Sequence, residues 1–143
     1  MQYTAYNPET GQLLWNYSNS EDTVLTEING KPVLPAKYEP GKFYWEAGNI
    51  VAVPTKPSSL FTAYDFDYAT KTWQVNLPAT EKAIRQARDN ELATVDRVNP
   101  IWYGTLTSEQ QQQLQQYRTD LLNVPQQSGF PESVVWPTKP AWL

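Results

Sequence analysis

Two hydrophobic periods divide this chain, one of two residues and one of 3.6. In the first stretch Tyr3 and Ala5, then Leu13, Trp15 and Tyr17, alternate with polar residues around Asn7-Pro8-Glu9-Thr10-Gly11, which predicts two short strands about a turn closed by Gly11. Val24, Thr26 and Ile28 repeat the alternation before Asn29-Gly30, the strongest short hairpin signal, and Pro32, Val33 and Leu34 return from it. Pro32 and Pro35 predict that the returning arm is an edge strand. A third hairpin is expected over 38–53, where Phe43-Tyr44-Trp45 and Ile50-Val51-Ala52-Val53 flank Gly48-Asn49. A fourth strand pair is expected from Phe61–Phe66 and Thr72–Val75. Residues 1–77 therefore read as a small antiparallel β module.

Beyond Leu77-Pro78 the period changes. Thr80 is the expected N-cap of a helix reaching about Val95, with Ile84, Ala87, Leu92 and Val95 on one stripe and Glu81–Arg85 and Arg85–Asp89 pairs on its outer surface. Pro100 breaks helix in the connection that follows, leaving Ile101, Trp102 and Tyr103 to fill the space between two helices. Thr107 with Gln110 forms a capping box, and Ser108 with Gln111 offers the same arrangement one residue on. From there Leu114, Tyr117, Leu121 and Val124 fall on one helix face, Leu122 widens the stripe and Pro125 ends it. Phe130, Val134, Val135, Trp136 and Trp142 then stand among Pro131, Pro137 and Pro140, too many large apolar groups for a disordered end. The expected fold class is α+β: an N-terminal antiparallel β module (1–77), then a helical hairpin and an extended Pro/Trp-rich tail (78–143).

Composition narrows the function. Charged residues make up 18% and the net charge is −4, so no broad basic face exists to bind nucleic acid or an anionic membrane surface. No apolar run approaches the roughly 20 residues that span a bilayer, and the opening residues carry no signal-peptide pattern, which places the expected site of action in the cytoplasm of the producing cell. With neither Cys nor His, disulfides, thiolate zinc sites and the commonest general base are excluded. No cofactor is expected. Six Trp, nine Tyr and 12 Pro concentrate apolar area in a few large side chains, which suit thin cores and interfaces. The Lys residues, all but two, lie before residue 78 and the four Arg after it.

The order of residues in the second half resembles the tail assembly chaperone and tail-fibre assembly families of tailed bacteriophages. It is carried by Arg88, Leu92, Thr94 and Asp96, then Tyr117, Arg118, Leu121, Val124, Pro125 and Gln126, then Phe130-Pro131 and Trp136-Pro137. Arg97 departs from the pattern, in which an aromatic follows the Asp. The first half, with FYWEAGNIVAVPTKP and YDFDYATKTW, looks like an N-terminal β module of small phage fibre-associated proteins. The resemblance implies a non-enzymatic protein that binds phage tail-fibre or tail proteins in the host cytoplasm, helps them fold and assemble, and sometimes stays in the virion tail.

Candidate contact residues are Tyr117, Arg118, Leu121, Phe130, Trp136 and Trp142 in the second half and Tyr44 and Trp45 in the first, for partner binding or for anchoring the tail. Arg118 is expected to bond free carbonyls of the tail. Asp65 and Asp67, the close carboxylate pair in an aromatic strand, are expected to form a solvated edge rather than a catalytic or cation site. The six Gln between Gln110 and Gln116 read as an exposed uncharged helix face, and the echo between Val53–Pro57 and Trp136–Pro140 as shared extended geometry. Three functions compete: assembly chaperone, permanent virion component, and a carbohydrate-binding adhesin using Trp and Tyr of the β module as sugar platforms.

Overall fold

The hairpins form where alternation meets a turn signal. In the computed structural model, which describes residues 1–143, β1 (Gln2–Tyr6) pairs antiparallel with β2 (Leu13–Ser18) from Gln2↔Ser18 to Tyr6↔Leu13. The Asn7 side-chain oxygen accepts the Glu9 N–H at 2.9 Å inside the turn. Gly11 ends it at φ +71°, where the Trp45 N–H donates to the Gly11 carbonyl at 2.8 Å. A β-carbon on Gly11 would stand 1.8 Å from the Trp45 carbonyl oxygen, so only glycine admits this approach of two backbones.

The Asn29-Gly30 turn, both residues at positive φ, joins β3 (Glu27–Ile28) to β4 (Lys31–Leu34). The four strands form one sheet in the order β2-β1-β4-β3. β4 is thus an interior strand, not the edge that Pro32 predicts. The register explains why. Val33 donates its N–H to the Thr26 carbonyl at 3.1 Å, so the neighbouring Pro32 nitrogen faces the opposite side, where the ladder to β1 has already ended at Ala5↔Val33. No bond is lost there. Tyr3, Ala5 and Val33 form the core on one face, with Leu25 and Ile28 against them. The buried Tyr3 hydroxyl donates to the Thr23 carbonyl at 3.1 Å and accepts from the Leu25 N–H at 3.2 Å, which satisfies it.

β5 (Phe43–Glu46) and β6 (Asn49–Ala52) form the third hairpin. Its turn is Ala47-Gly48, both at positive φ, one residue earlier than the Gly48-Asn49 expected. Because the pairing closes at Glu46↔Asn49, Asn49 belongs to the returning strand. β7 (Tyr64–Asp67) and β8 (Thr72–Val75) make the fourth pair. β7 begins at Tyr64 rather than Phe61, because residues 58–63 are committed elsewhere. Two compact units result: Met1–Pro57 with Tyr64–Gln74, and Ser58–Ala63 with Val75–Leu143.

In the second unit, α1 (Leu77–Asp96) starts earlier than expected. Asn76 is its N-cap, accepting the Ala79 N–H at 3.0 Å, and Pro78 sits in the first turn, where its missing N–H has no partner to lose. Thr80 lies inside the helix, fully buried, and its hydroxyl accepts the Ala63 N–H at 2.9 Å. The Asn76 N–H donates to the Ala63 carbonyl at 2.9 Å, so both polar groups of Ala63 are bonded here. Ile84, Leu92 and Val95 are buried as the stripe predicts, with Ala87 half-buried. Arg85 pairs with Glu81 at 2.8 Å, whereas Asp89 is taken by Arg88 rather than Arg85.

Pro100 opens a short helix instead of breaking one. α2 (Pro100–Thr105) has Pro100 in its first turn and Asn99 as N-cap, accepting from Ile101 and Trp102. The helical turn spreads Ile101, Trp102 and Tyr103 around its axis, so only Tyr103 packs on the core, while Ile101 is 82% exposed. α3 (Ser108–Asn123) begins with the expected box: the Gln110 N–H donates to the Thr107 hydroxyl at 3.2 Å and the Thr107 N–H to the Gln110 side-chain oxygen at 2.9 Å. Leu114, Tyr117, Leu121 and Val124 are all buried. Leu122 is exposed, because its 100° step carries it past the packed face. Pro125 falls within a 3-10 turn (Val124–Gln126) that extends the helix end. The chain then turns through 127–133, with a cis peptide bond before Pro131, and continues through 134–140 in neither helix nor strand. The architecture is α+β, antiparallel strands followed by helices. No helix is long and apolar enough to cross a membrane.

Candidate functional site

The helical unit gathers most of the residues singled out from sequence. α1 and α3 pack through Leu92, Val95, Leu114, Tyr117 and Leu121, and the tail lays Trp136, Trp142 and Leu143 against this cluster. Trp136 also meets Phe61 of the 58–63 segment, ring centroids 5.0 Å apart and tilted by 44°. The Trp142 indole N–H donates to the Gln113 side-chain oxygen, and its ring lies 6.4 Å from that of Trp102. Phe130 sits beneath the Arg85 guanidinium, 5.3 Å from ring centroid to Cζ, a cation–π contact rather than a core position. The tail is tied by side chains and not by ladder bonds: Gln127 donates to the Val135 carbonyl and accepts its N–H, both at 2.8 Å.

Arg118 does not serve the tail. Its Nε donates to Asp96 Oδ1 at 2.6 Å, joining α3 to the end of α1, and this carboxylate holds the guanidinium pKa above its ordinary value. Asp96 is within reach because α1 continues to that residue. The Tyr117 hydroxyl donates to Glu91 Oε2 at 3.3 Å; burial, and after it the Glu91 charge and this bond, push the phenol pKa up. Several residues of the Gln run bond neighbouring groups instead of only facing solvent. Gln111 donates to the Tyr103 and Leu106 carbonyls at the end of α2, Gln115 to the Tyr103 hydroxyl at 2.9 Å, and Gln116 to Asp120 at 2.7 Å.

Among the concavities that border this cluster, two include functional candidates on α1 and α3. One, of about 390 Å³, lies beside Val95, Val98, Tyr103 and Leu114, with Arg118 and Asp96 among its lining residues. The other, of about 270 Å³, is lined by Leu60, Phe61, Ala87, Glu91, Tyr117, Trp136 and Pro137. Sequence reasoning identified Tyr117 and Trp136 but passed over Phe61 and Glu91. Phe61 stands at the start of the expected Phe61–Phe66 strand, and Glu91 has no motif that separates it from other helix-surface acids.

Tyr44 and Trp45 belong to the strand-rich unit. Tyr44 is buried against Phe66, centroids 5.9 Å apart, with the Lys71 ammonium 4.5 Å from its ring, and Trp45 packs on Tyr6 at 5.9 Å. Asp67 closes its hairpin by accepting the Ala69 N–H at 2.8 Å and the Thr70 N–H at 3.4 Å. The Ala69 bond, then those with Thr70, hold its carboxyl below the ordinary Asp value. The two echoed segments, 53–57 and 136–140, both lie in neither helix nor strand.

Residues 81–141 match the family model described as phage tail assembly chaperone protein. The match spans most of α1, both later helices and the tail, the same residues whose order carries the resemblance. It leaves the strand-rich unit outside. No curated protein and no solved structure matches the chain.

Proposed function

We propose that this protein acts in bacteriophage tail assembly by binding fibre or tail subunits and covering their apolar, unpaired surfaces until they associate. The match of residues 81–141 to the phage tail assembly chaperone protein carries this reading. The helical unit supports it by presenting large apolar side chains outward: Leu60, Ile101 and Val135 are 85, 82 and 77% exposed. Such side chains suit contact with partly folded subunits, whose free strand edges and apolar faces otherwise aggregate. The role is one of binding and not of chemistry, exercised in the host cytoplasm while the tail is built.

Co-expression with the fibre and tail proteins encoded beside it tests the proposal. The expected result is co-purification with one of them and a larger yield of that subunit in soluble, correctly associated form. Equal yield and association with and without this chain, for every neighbouring tail protein, overturns it.

A further inference from the structure

The smaller concavity on the helical unit is built for a positive charge. Phe61 and Trp136 stand together as aromatic walls, with Tyr117 beside them, while the small side chain of Ala87 leaves space on α1. The side-chain oxygens in this setting belong to an acid and a phenol: Glu91, and the Tyr117 hydroxyl that donates to it at 3.3 Å. None of the chain's own ion pairs uses Glu91, since Arg88 is paired with Asp89 and Arg85 with Glu81. Its carboxylate is therefore met by one long hydrogen bond from an uncharged donor and by solvent. An aromatic-walled recess attracts cations through the negative faces of its rings, and a carboxylate at the same place adds a charge-assisted acceptor.

We propose that this recess receives a basic side chain, arginine or lysine, from a protein partner, laid against the Phe61–Trp136 ring pair with its charge on Glu91. At about 270 Å³ the recess has room for one such side chain. Exposed Leu60 and Val135, the chain neighbours of Phe61 and Trp136, supply apolar contact for the partner's surrounding surface. The protein source of the cation rests on the function proposed above; the recess and its charge preference do not.

The test uses the full chain and two small probes, N-acetyl-arginine methylamide and its neutral, nearly isosteric citrulline counterpart, followed by NMR of the Trp136 indole N–H. The arginine probe is expected to shift that resonance saturably. Citrulline, or arginine against Glu91→Gln, is expected to bind about tenfold more weakly, the scale of losing one charge-assisted bond. Glu91 is exposed, so the variant keeps the fold. Equal binding of the two probes, no effect of Glu91→Gln, or no saturable shift overturns the proposal. Because the probes are small molecules, the outcome is independent of whether any tail protein co-purifies.

Discussion

Replacing Trp136 by Ala tests how the tail is held. In the structure this side chain packs on the α1–α3 cluster and on Phe61, 5.0 Å between ring centroids. A partly exposed Trp withdraws on the order of 150 Å² from water, which at about 25 cal/mol per Å² is roughly 3.8 kcal/mol, of which the remaining Cβ keeps a minor share. Loss of the ring pair with Phe61 adds about 0.5 to 1.5 kcal/mol. The site lies at the surface, so water enters the space and no dry cavity forms, which holds the expected cost to about 3.5 to 4.5 kcal/mol. For a domain of this size each kcal/mol lowers Tm by about 4 to 8 °C, so the melt of the helical unit is expected to fall by at least about 14 °C. The adjacent Val135 is 77% exposed, and Val135→Ala is expected to stay within about 0.5 kcal/mol of the parent. Urea and thermal unfolding of the two variants followed by circular dichroism give the comparison. A Trp136→Ala protein as stable as Val135→Ala refutes the account of a tail anchored on its own helices.

Thr80→Val keeps the shape of a fully buried side chain but strips the acceptor from the Ala63 N–H, with an expected cost of about 1 to 3 kcal/mol in urea unfolding; Thr80→Ser, which keeps the hydroxyl, is expected to lose less. Ala47 holds φ +47° in the β5–β6 turn, a region that costs an L-residue with a β-carbon, so Ala47→Asn or Ala47→Gly is expected to raise stability by about 0.5 to 1 kcal/mol, seen as a higher urea midpoint. Asp67 titrates lower when folded than when unfolded, so its stabilisation is in force above the ordinary carboxylate range and is lost as pH falls through its folded pKa. A carboxyl NMR titration of Asp67 with a midpoint at or above that of an unstructured Asp contradicts this.

What the sequence determined by itself lies in contacts a few residues apart. The Asn29-Gly30 turn, the Thr107–Gln110 capping box and the buried face of Leu114, Tyr117, Leu121 and Val124 follow from backbone preference, side-chain reach and the 100° step of a helix, and each stands where the pattern puts it. The ordered residues from Arg88 to Pro137 carry the family resemblance, and they fall within the segment that matches the phage family model. Tertiary structure decided whatever depends on which distant group arrives first. Pro32 lies on an interior strand because the ladder to β1 stops at Val33; Thr80 becomes a buried acceptor because Ala63 comes to meet it. Arg118 turns to Asp96, 22 residues away, and not to the tail, since a fixed carboxylate outcompetes neutral carbonyls for a guanidinium. The recess of Phe61, Glu91, Tyr117 and Trp136 draws on four separate segments, so no spacing along the chain announces it. Local propensity carries no information about such a meeting of segments, because its energy comes from burial and charge that exist only once the chain has folded.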